Sequence, residues 1–154
     1  MIRFAEKEDF ETVYELMGQG STNELSKEQF EEFYRRNSEN SCVLVFERDD
    51  AVLGYGVLSI RYPLHFSGKA GGTVNLIVDI DARSKGIGNK LLDSLEKIAS
   101  AKGRARIEEN SGRKRGDSHR FYYREGYDDN HYKLTKTLAL EVDNTADFLR
   151  FFGV

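Results

Sequence analysis

The chain has 154 residues, a formal net charge of −3, 39% hydrophobic residues and 12% aromatic residues. That length suits one core, that apolar content excludes a disordered chain, and a generic nucleic-acid binder would be basic overall rather than slightly acidic. We therefore expect a single domain over residues 1–154 with no nucleic-acid partner, residues 139–154 forming a C-terminal extension.

From the N-terminus, "MIRFA" alternates and predicts a short strand. Phe10, Val13, Tyr14 and Met17 then follow helical spacing, with Asp9 as an N-cap candidate. "GQGSTN" breaks that helix. Ser26 and Gln29 have capping-box spacing, and Phe30, Phe33 and Tyr34 give the next helix an apolar face. Residues 42–47 and "AVLGYGVLSIRY" read as two strands joined by the turn "RDD", and Pro63 ends the second. "TVNLIVDI" alternates little and predicts a central strand. Ile87, Leu91, Leu92, Leu95, Ile98 and Ala99 form one helical stripe, closed by Gly103. "RARIEE" predicts a strand, "DSHRFYYREGY" a short helix, "HYKLTKTLAL" a last strand, and "NTADFLRFFGV" a terminal amphipathic helix. The order is β-α-α-β-β-β-α-β-α-β, an α/β chain with a mixed sheet.

The single cysteine, Cys42, lies in the apolar run "CVLVF" and is expected to be a buried small hydrophobe. With no second cysteine, an internal disulfide is excluded. His65, His119 and His131 show no ligand spacing, so no metal is expected. The first ten residues lack the apolar core of a leader, and no stretch approaches the ~18 apolar residues of a membrane span. The expectation is a cytoplasmic protein without a membrane partner.

The stretch "RSKGIGN" joins the predicted central strand to a helix through Gly86 and Gly88. A strand that enters a helix through glycines presents unpaired N–H groups, which the helix dipole makes into an anion site. The spacing is wrong for a P-loop, which needs Lys-Ser/Thr after its second glycine. A dinucleotide fingerprint needs a third glycine where Leu91 stands. A βα turn without any ligand remains the plain alternative. The cations between Lys102 and Arg124 read either as a solvated face or as a further anion contact.

Two motifs narrow this choice. Arg83-Ser84-Lys85-Gly86-Ile87-Gly88 fits Arg/Gln-x-x-Gly-x-Gly/Ala after a strand, and "SHRFYYREGY" is close to Ala-x-x-Phe-Tyr-x-x-x-Gly-Phe. In this order, and with this element pattern over residues 1–138, the chain resembles the Gcn5-related N-acetyltransferase (GNAT) superfamily. The resemblance implies a bulged central strand and acetyl-coenzyme A as cosubstrate, its pyrophosphate cradled by backbone from Lys85 to Asn89. Arg83 and Lys85 would add charge at the rim. It also implies that Ile77 and Val78 pair with the pantetheine arm, that the Val78 amide serves the oxyanion, and that Asn110 reaches the arm.

The implied reaction moves acetyl directly to a primary amine, with Tyr122 as general acid toward the leaving sulfur. The usual strand glutamate would fall at Gly72, so the base is sought among Glu108, Glu109 and Asp79, or in a water chain. Strand alternation lets only one of Glu108 and Glu109 face the cleft. The acidic residues Glu24, Glu28, Glu31 and Glu32 suggest either a rim that attracts cationic amines or an ordinary solvated helix. A non-catalytic acyl-CoA-binding module on the same fold is the alternative function. Dimers are common in the superfamily, so a homodimer is carried as an expectation.

Overall fold

The computed structural model describes residues 1–20, 25–61, 70–138 and 150. Its elements are β1 (Ile2–Phe4), α1 (Phe10–Gly20), α2 (Lys27–Asn40), β2 (Cys42–Arg48), β3 (Ala51–Ile60), β4 (Ala70–Val78), α3 (Ile87–Ala101), β5 (Arg106–Glu109) and α4 (Gly116–Arg124). Among the described residues the strands form one five-stranded sheet in chain order. Neighbours are antiparallel except β4 and β5, which run parallel. A parallel pair requires a crossover, and α3 supplies it.

Alternation along β2 and β3 sends side chains to two cores. Leu44, Phe46, Leu58 and Val74 meet Ile87, Leu91, Leu92 and Leu95 of α3 on one face. Val45 and Tyr55 meet Val13, Leu16 and Tyr34 of α1 and α2 on the other. The helical stripe read from the sequence is thus the buried face of α3. It approaches β3 closely: a Cβ on Gly56 would lie 2.8 Å from Leu95 Cδ1. A side chain there would require Leu95 to move.

Local signals hold at the α2 cap. Gln29 N donates to Ser26 Oγ at 3.2 Å, and Ser26 N donates to Gln29 Oε1 at 3.0 Å. The hairpin turns at Asp49 and Asp50, both left-handed with φ of 52° and 59°, as the twist of paired strands favours. Cys42 is buried.

Asp9, expected as an N-cap, is instead the third residue of a 3₁₀ turn ahead of α1, whose N-cap is Glu6, because its carboxylate reaches back to the Glu6 amide as the acidic half of a capping box. Its carboxylate accepts two bonds from Arg3, at 2.7 and 2.9 Å, and one from the Glu6 amide at 2.7 Å. Arg3 also donates to Glu47 on β2 at 2.6 Å. The Arg3 guanidinium holds the Asp9 carboxyl below its ordinary range, against the opposing effect of burial. A depressed carboxylate contributes stability that is present above its unfolded pKa and lost as pH falls through the folded one. We expect Asp9→Asn to cost about 1–3 kcal/mol at pH 7. Urea melts should show the gap to wild type narrowing as pH falls below the ordinary carboxylate range and through the depressed folded-state pKa.

One predicted element is not formed. The last strand was expected over 131–140, yet residues 131–138 are neither helix nor strand and are exposed. Their alternation suits a strand, but a strand exists only through hydrogen bonds to a neighbour, and this segment pairs with none of the described strands. Residues 139 and 140, Pro63 and the terminal helix expected after residue 143 lie outside the described residues, Arg150 excepted.

Candidate active site

After β4 the chain makes a 3₁₀ turn at Ile80–Ala82 and then the glycine loop. Asp79 holds this corner. It accepts from the Asp81 amide at 2.9 Å and from Gln19 Nε2 at 3.1 Å, while Gln19 Oε1 accepts from the Ile80 amide at 2.9 Å. The Gln19 bond is first among the contacts that lower the Asp79 pKa. A carboxylate so engaged joins α1 to the loop.

Ser84 and Gly86 are both left-handed, with φ of 60° and 77°. Alternating handedness of this kind turns successive N–H groups toward one point. No side chain caps α3. Its first intrahelical bond runs from the Lys90 amide to the Gly86 carbonyl at 3.1 Å. The amides of Ile87, Gly88 and Asn89 therefore have no intrahelical acceptor, and the dipole adds positive potential there. This donor set fits a diphosphate. Arg83 Nε donates to the Val78 carbonyl at 3.0 Å and Lys85 Nζ to the Asp81 carbonyl at 2.9 Å, so both cations brace the loop as well as charge it. The side-chain amide of Asn89 donates to Glu125, tying the loop to the end of α4.

Beside the loop the sheet parts. β4 and β5 pair from Ala70 with Arg106 to Val74 with Glu109, and β5 stops there. Residues 75–78 of β4 have no β5 neighbour. The Asp79 amide donates to the Leu53 carbonyl on β3 at 2.9 Å. By alternation, the polar backbone of Ile77 also faces β3, and that of Leu76 and Val78 faces the opening. Of the expected pair, Val78 lies on the cleft and Ile77 is turned away. Leu76, which sequence reasoning passed over, takes its place. The irregularity in this strand pair falls between Ala70 and Gly72. The Val78 amide is thus released by the end of β5, not by a bulge next to it.

Tyr122 projects from α4 and is 8% exposed. Its ring stands edge-on to Phe121 and Tyr127, at centroid distances of 5.1 and 5.2 Å. Tyr127 OH donates to Glu96 at 3.1 Å and fixes that wall. Burial first, and the Glu109 charge second, raise the Tyr122 pKa. Tyr123 is turned outward, half exposed, and donates to Asp129.

Glu108 and Glu109 separate as alternation requires. Glu108 is exposed and lies 3.6 Å from Arg106. Glu109 points to the Tyr122 side, and its Oε2, like Ser111 Oγ, is buried without a hydrogen-bond partner among the described residues. Burial pushes the Glu109 carboxyl up to about 7, opposed by Arg115, the Asn110 amide and Lys133. Asn110 itself is exposed just beyond β5. In the basic run, Arg120 pairs with Asp117 and Arg124 lies 5.6 Å from the Phe121 ring centroid. The acidic face of α2 is partly neutralised, Glu32 pairing with Arg35 and Arg36. Glu24 lies outside the described residues.

The model of the acetyltransferase (GNAT) family matches residues 10–127. An aminoalkylphosphonate N-acetyltransferase of Salmonella typhimurium is 33% identical over 139 residues, 89% of this chain and 90% of that protein. An acetyltransferase of Trypanosoma brucei superposes with a TM-score of 0.75 at 22% identity, covering 90% of this chain and 99% of its own. An aminoglycoside N-acetyltransferase in complex with CoA superposes with a TM-score of 0.73 at 14% identity, covering 90% and 99%. The two structural matches speak for the fold alone.

Proposed function

The chain belongs to the acetyltransferase (GNAT) family and is an N-acetyltransferase, and from that membership we propose that it moves acetyl from acetyl-coenzyme A to the primary amine of a small acceptor, with Tyr122 as acid. The observation that carries this reading is one junction. An uncapped α3 with a left-handed approach, a parted β4–β5 pair and a buried phenol share one cluster, in which Tyr122 and Ile87 pack with Leu76, Val78 and Phe121. Acetyl-coenzyme A supplies an activated acyl thioester.

In this reading the amides of Ile87, Gly88 and Asn89 hold the diphosphate, and Leu76 and Val78 pair with the amide-bearing arm. Lys85, Ser84 and Gly86 shape the turn, braced by Arg83. The Val78 N–H faces the place where a carbonyl oxygen gains charge, and such a donor lowers the barrier only if fixed there beforehand. The amine nitrogen bonds to the acyl carbon, the carbon–sulfur bond breaks, the amine loses a proton to a base, and sulfur regains one. Tyr122 keeps its proton through the physiological range because its pKa is raised. Its contribution therefore begins as a hydrogen bond to the sulfur as charge builds there.

For the base, Glu109 is better placed than Glu108, since its carboxyl lies on the Tyr122 side with one oxygen unused. A carboxyl near 7 is suited to accept a proton at neutral pH. We expect kcat/KM to rise with pH and level off above about 7, and Glu109→Gln to lower it about tenfold or more and flatten that limb. Stability should show the opposite sign. A carboxyl whose pKa is raised on folding contributes stability below its unfolded value, lost as pH rises through about 7. Glu109→Gln should then melt higher than wild type at pH 8 and lose that advantage at pH 5. A wild-type profile flat from pH 5.5 to 8.5 would remove Glu109 from the reaction.

The 33% identical relative directs the choice of acceptor, because its named substrate is an amine bearing a phosphonate. We propose aminoalkylphosphonates as the first acceptor class, ahead of the polycations that an acidic rim suggested. The test is release of free thiol from acetyl-coenzyme A across a panel of aminoalkylphosphonates, polyamines and lysine peptides. Turnover confined to the polyamines or peptides would overturn the phosphonate assignment. Binding of acetyl-coenzyme A without turnover of any amine would favour the non-catalytic alternative.

A further inference from the structure

The cleft beside Tyr122 carries more polar groups than acetyl transfer itself uses. Among the described residues it holds about 1640 Å³ along β5, between α3, α4 and the segment that follows α4. Two buried polar atoms on its wall, Glu109 Oε2 and Ser111 Oγ, have no hydrogen-bond partner among those residues. A native fold rarely buries a hydroxyl unmatched, and one that does so on a cleft wall is placed for a ligand or a water.

Charge on this wall is divided. Glu96 is bonded to Tyr127, and Glu108 lies against Arg106. Arg113 and Lys133 also line the cleft, and neither makes an ion pair among the described residues. Lys133 reaches the cleft because the chain after α4 is pinned just ahead of it. Arg106 Nη2 lies 3.0 Å from His131 Nδ1 and 3.3 Å from Asn130 Oδ1. The Lys133 charge favours the ionised form of Glu109, yet the ammonium does not close on that carboxyl. A negative and a positive group thus stand apart on one cleft, near enough to interact and not paired.

A zwitterion fits this arrangement. Its ammonium belongs at Glu109, and its anion belongs with Lys133, Arg113 and the Ser111 hydroxyl. A simple alkylamine leaves those donors unmatched, and a polyamine sets a like charge against Lys133. A phosphonate has enough acceptor oxygens to take a bond from each donor, and bonds to a charged acceptor are the strong ones. We propose that Lys133 and Ser111, with Arg113 at the rim, form the subsite for the anionic end of the acceptor. They hold the amine against Glu109 and give the chain its preference for amines that carry a phosphonate. The inference rests on the acetyl-transfer reading and deepens it, by assigning residues of this chain to the choice of acceptor.

Two acceptors of matched length test it, 2-aminoethylphosphonate and propylamine, which has a methyl group where the phosphonate stands. Thiol release should give the phosphonate a kcat/KM about tenfold higher or more. Lys133→Ala and Ser111→Ala should each raise KM for the phosphonate about tenfold, keep kcat within a factor of about 3, and leave propylamine turnover unmoved. Lys133→Arg should recover most of the loss, and Lys133→Glu should abolish the preference. Calorimetry of 2-aminoethylphosphonate against the chain loaded with coenzyme A should show the same order of affinities without any chemistry. Phosphonate turnover with an unchanged KM in the Lys133 and Ser111 variants would overturn the subsite and leave the acetyl-transfer reading standing. Equal losses for both acceptors would overturn it too, because a merely structural role does not tell them apart. Phosphonate binding that depends on Lys133, with no thiol released, would support the subsite and remove the reaction. No binding of the phosphonate to the wild-type complex would overturn the proposal outright.

Discussion

Tyr122→Phe should lower kcat about 100-fold while leaving the affinity for acetyl-coenzyme A within a factor of about 2, the span expected when a single proton donor is lost from a site otherwise kept intact. The change removes one oxygen from a ring packed against Phe121 and Tyr127. The ring packing is retained, so the melting temperature should move little. Glu109 affects the same atom through space, because its charge contributes to the raised Tyr122 pKa. Single and double variants of Tyr122 and Glu109 should therefore combine non-additively. Full turnover in a folded Tyr122→Phe would remove the phenol from the mechanism. Tyr123→Phe is the matched control. That hydroxyl is spent on Asp129 at the surface, and its loss should leave kcat unchanged.

Gly86→Val should raise the dissociation constant for acetyl-coenzyme A by about ten- to a hundredfold. Gly86 has a φ of 77°, which a β-branched residue adopts only at a cost of about 1–2 kcal/mol. The chain can relieve that strain only by turning peptides in the loop, and those peptides carry the donors proposed to hold the diphosphate. A bond to a charged partner contributes about 1.5–3 kcal/mol, and each 1.4 kcal/mol is about tenfold in affinity. Strain alone is not the claim, so a control of equal strain is needed. Gly103, at the far end of α3, has a φ of 72° and open space around it. Gly103→Val should melt lower and bind the cosubstrate normally, as titration calorimetry would show. Equal losses of affinity in both variants would mean that the loop has no special part in binding.

The elements that could be read from the chain are those in which local chemistry and packing agree. The α3 stripe is long and periodic, and its predicted positions are buried, Ile98 partly so. The capping box at Ser26 needs only four residues to define it. The glycine loop could be placed because left-handed backbone leaves a mark in residue type. Even so, Ser84 adopts that conformation without any such mark.

What stayed hidden depends on neighbours. The choice between Ile77 and Leu76 is a matter of one residue of register, set by the bond from Asp79 to Leu53. The parting of β4 and β5 follows from where β5 ends, and the two glutamates at that end look alike in sequence. The missing last strand is the clearest instance. Alternation over residues 131–138 describes what the segment can become, and pairing decides whether it does.

The parted strands also bear on how the protein meets temperature. Along residues 75–78 the sheet forgoes a row of hydrogen bonds that a continuous parallel pair would have made. In the proposed complex an acyl donor lying in that gap would supply some of them, and only to the folded chain. Mass action then raises stability by about 2.7 kcal/mol when the donor stands at a hundred times its dissociation constant. On the proposed reading the melting point would track the supply of cosubstrate, and a cell short of acetyl donor would hold a less durable enzyme as well as an idle one.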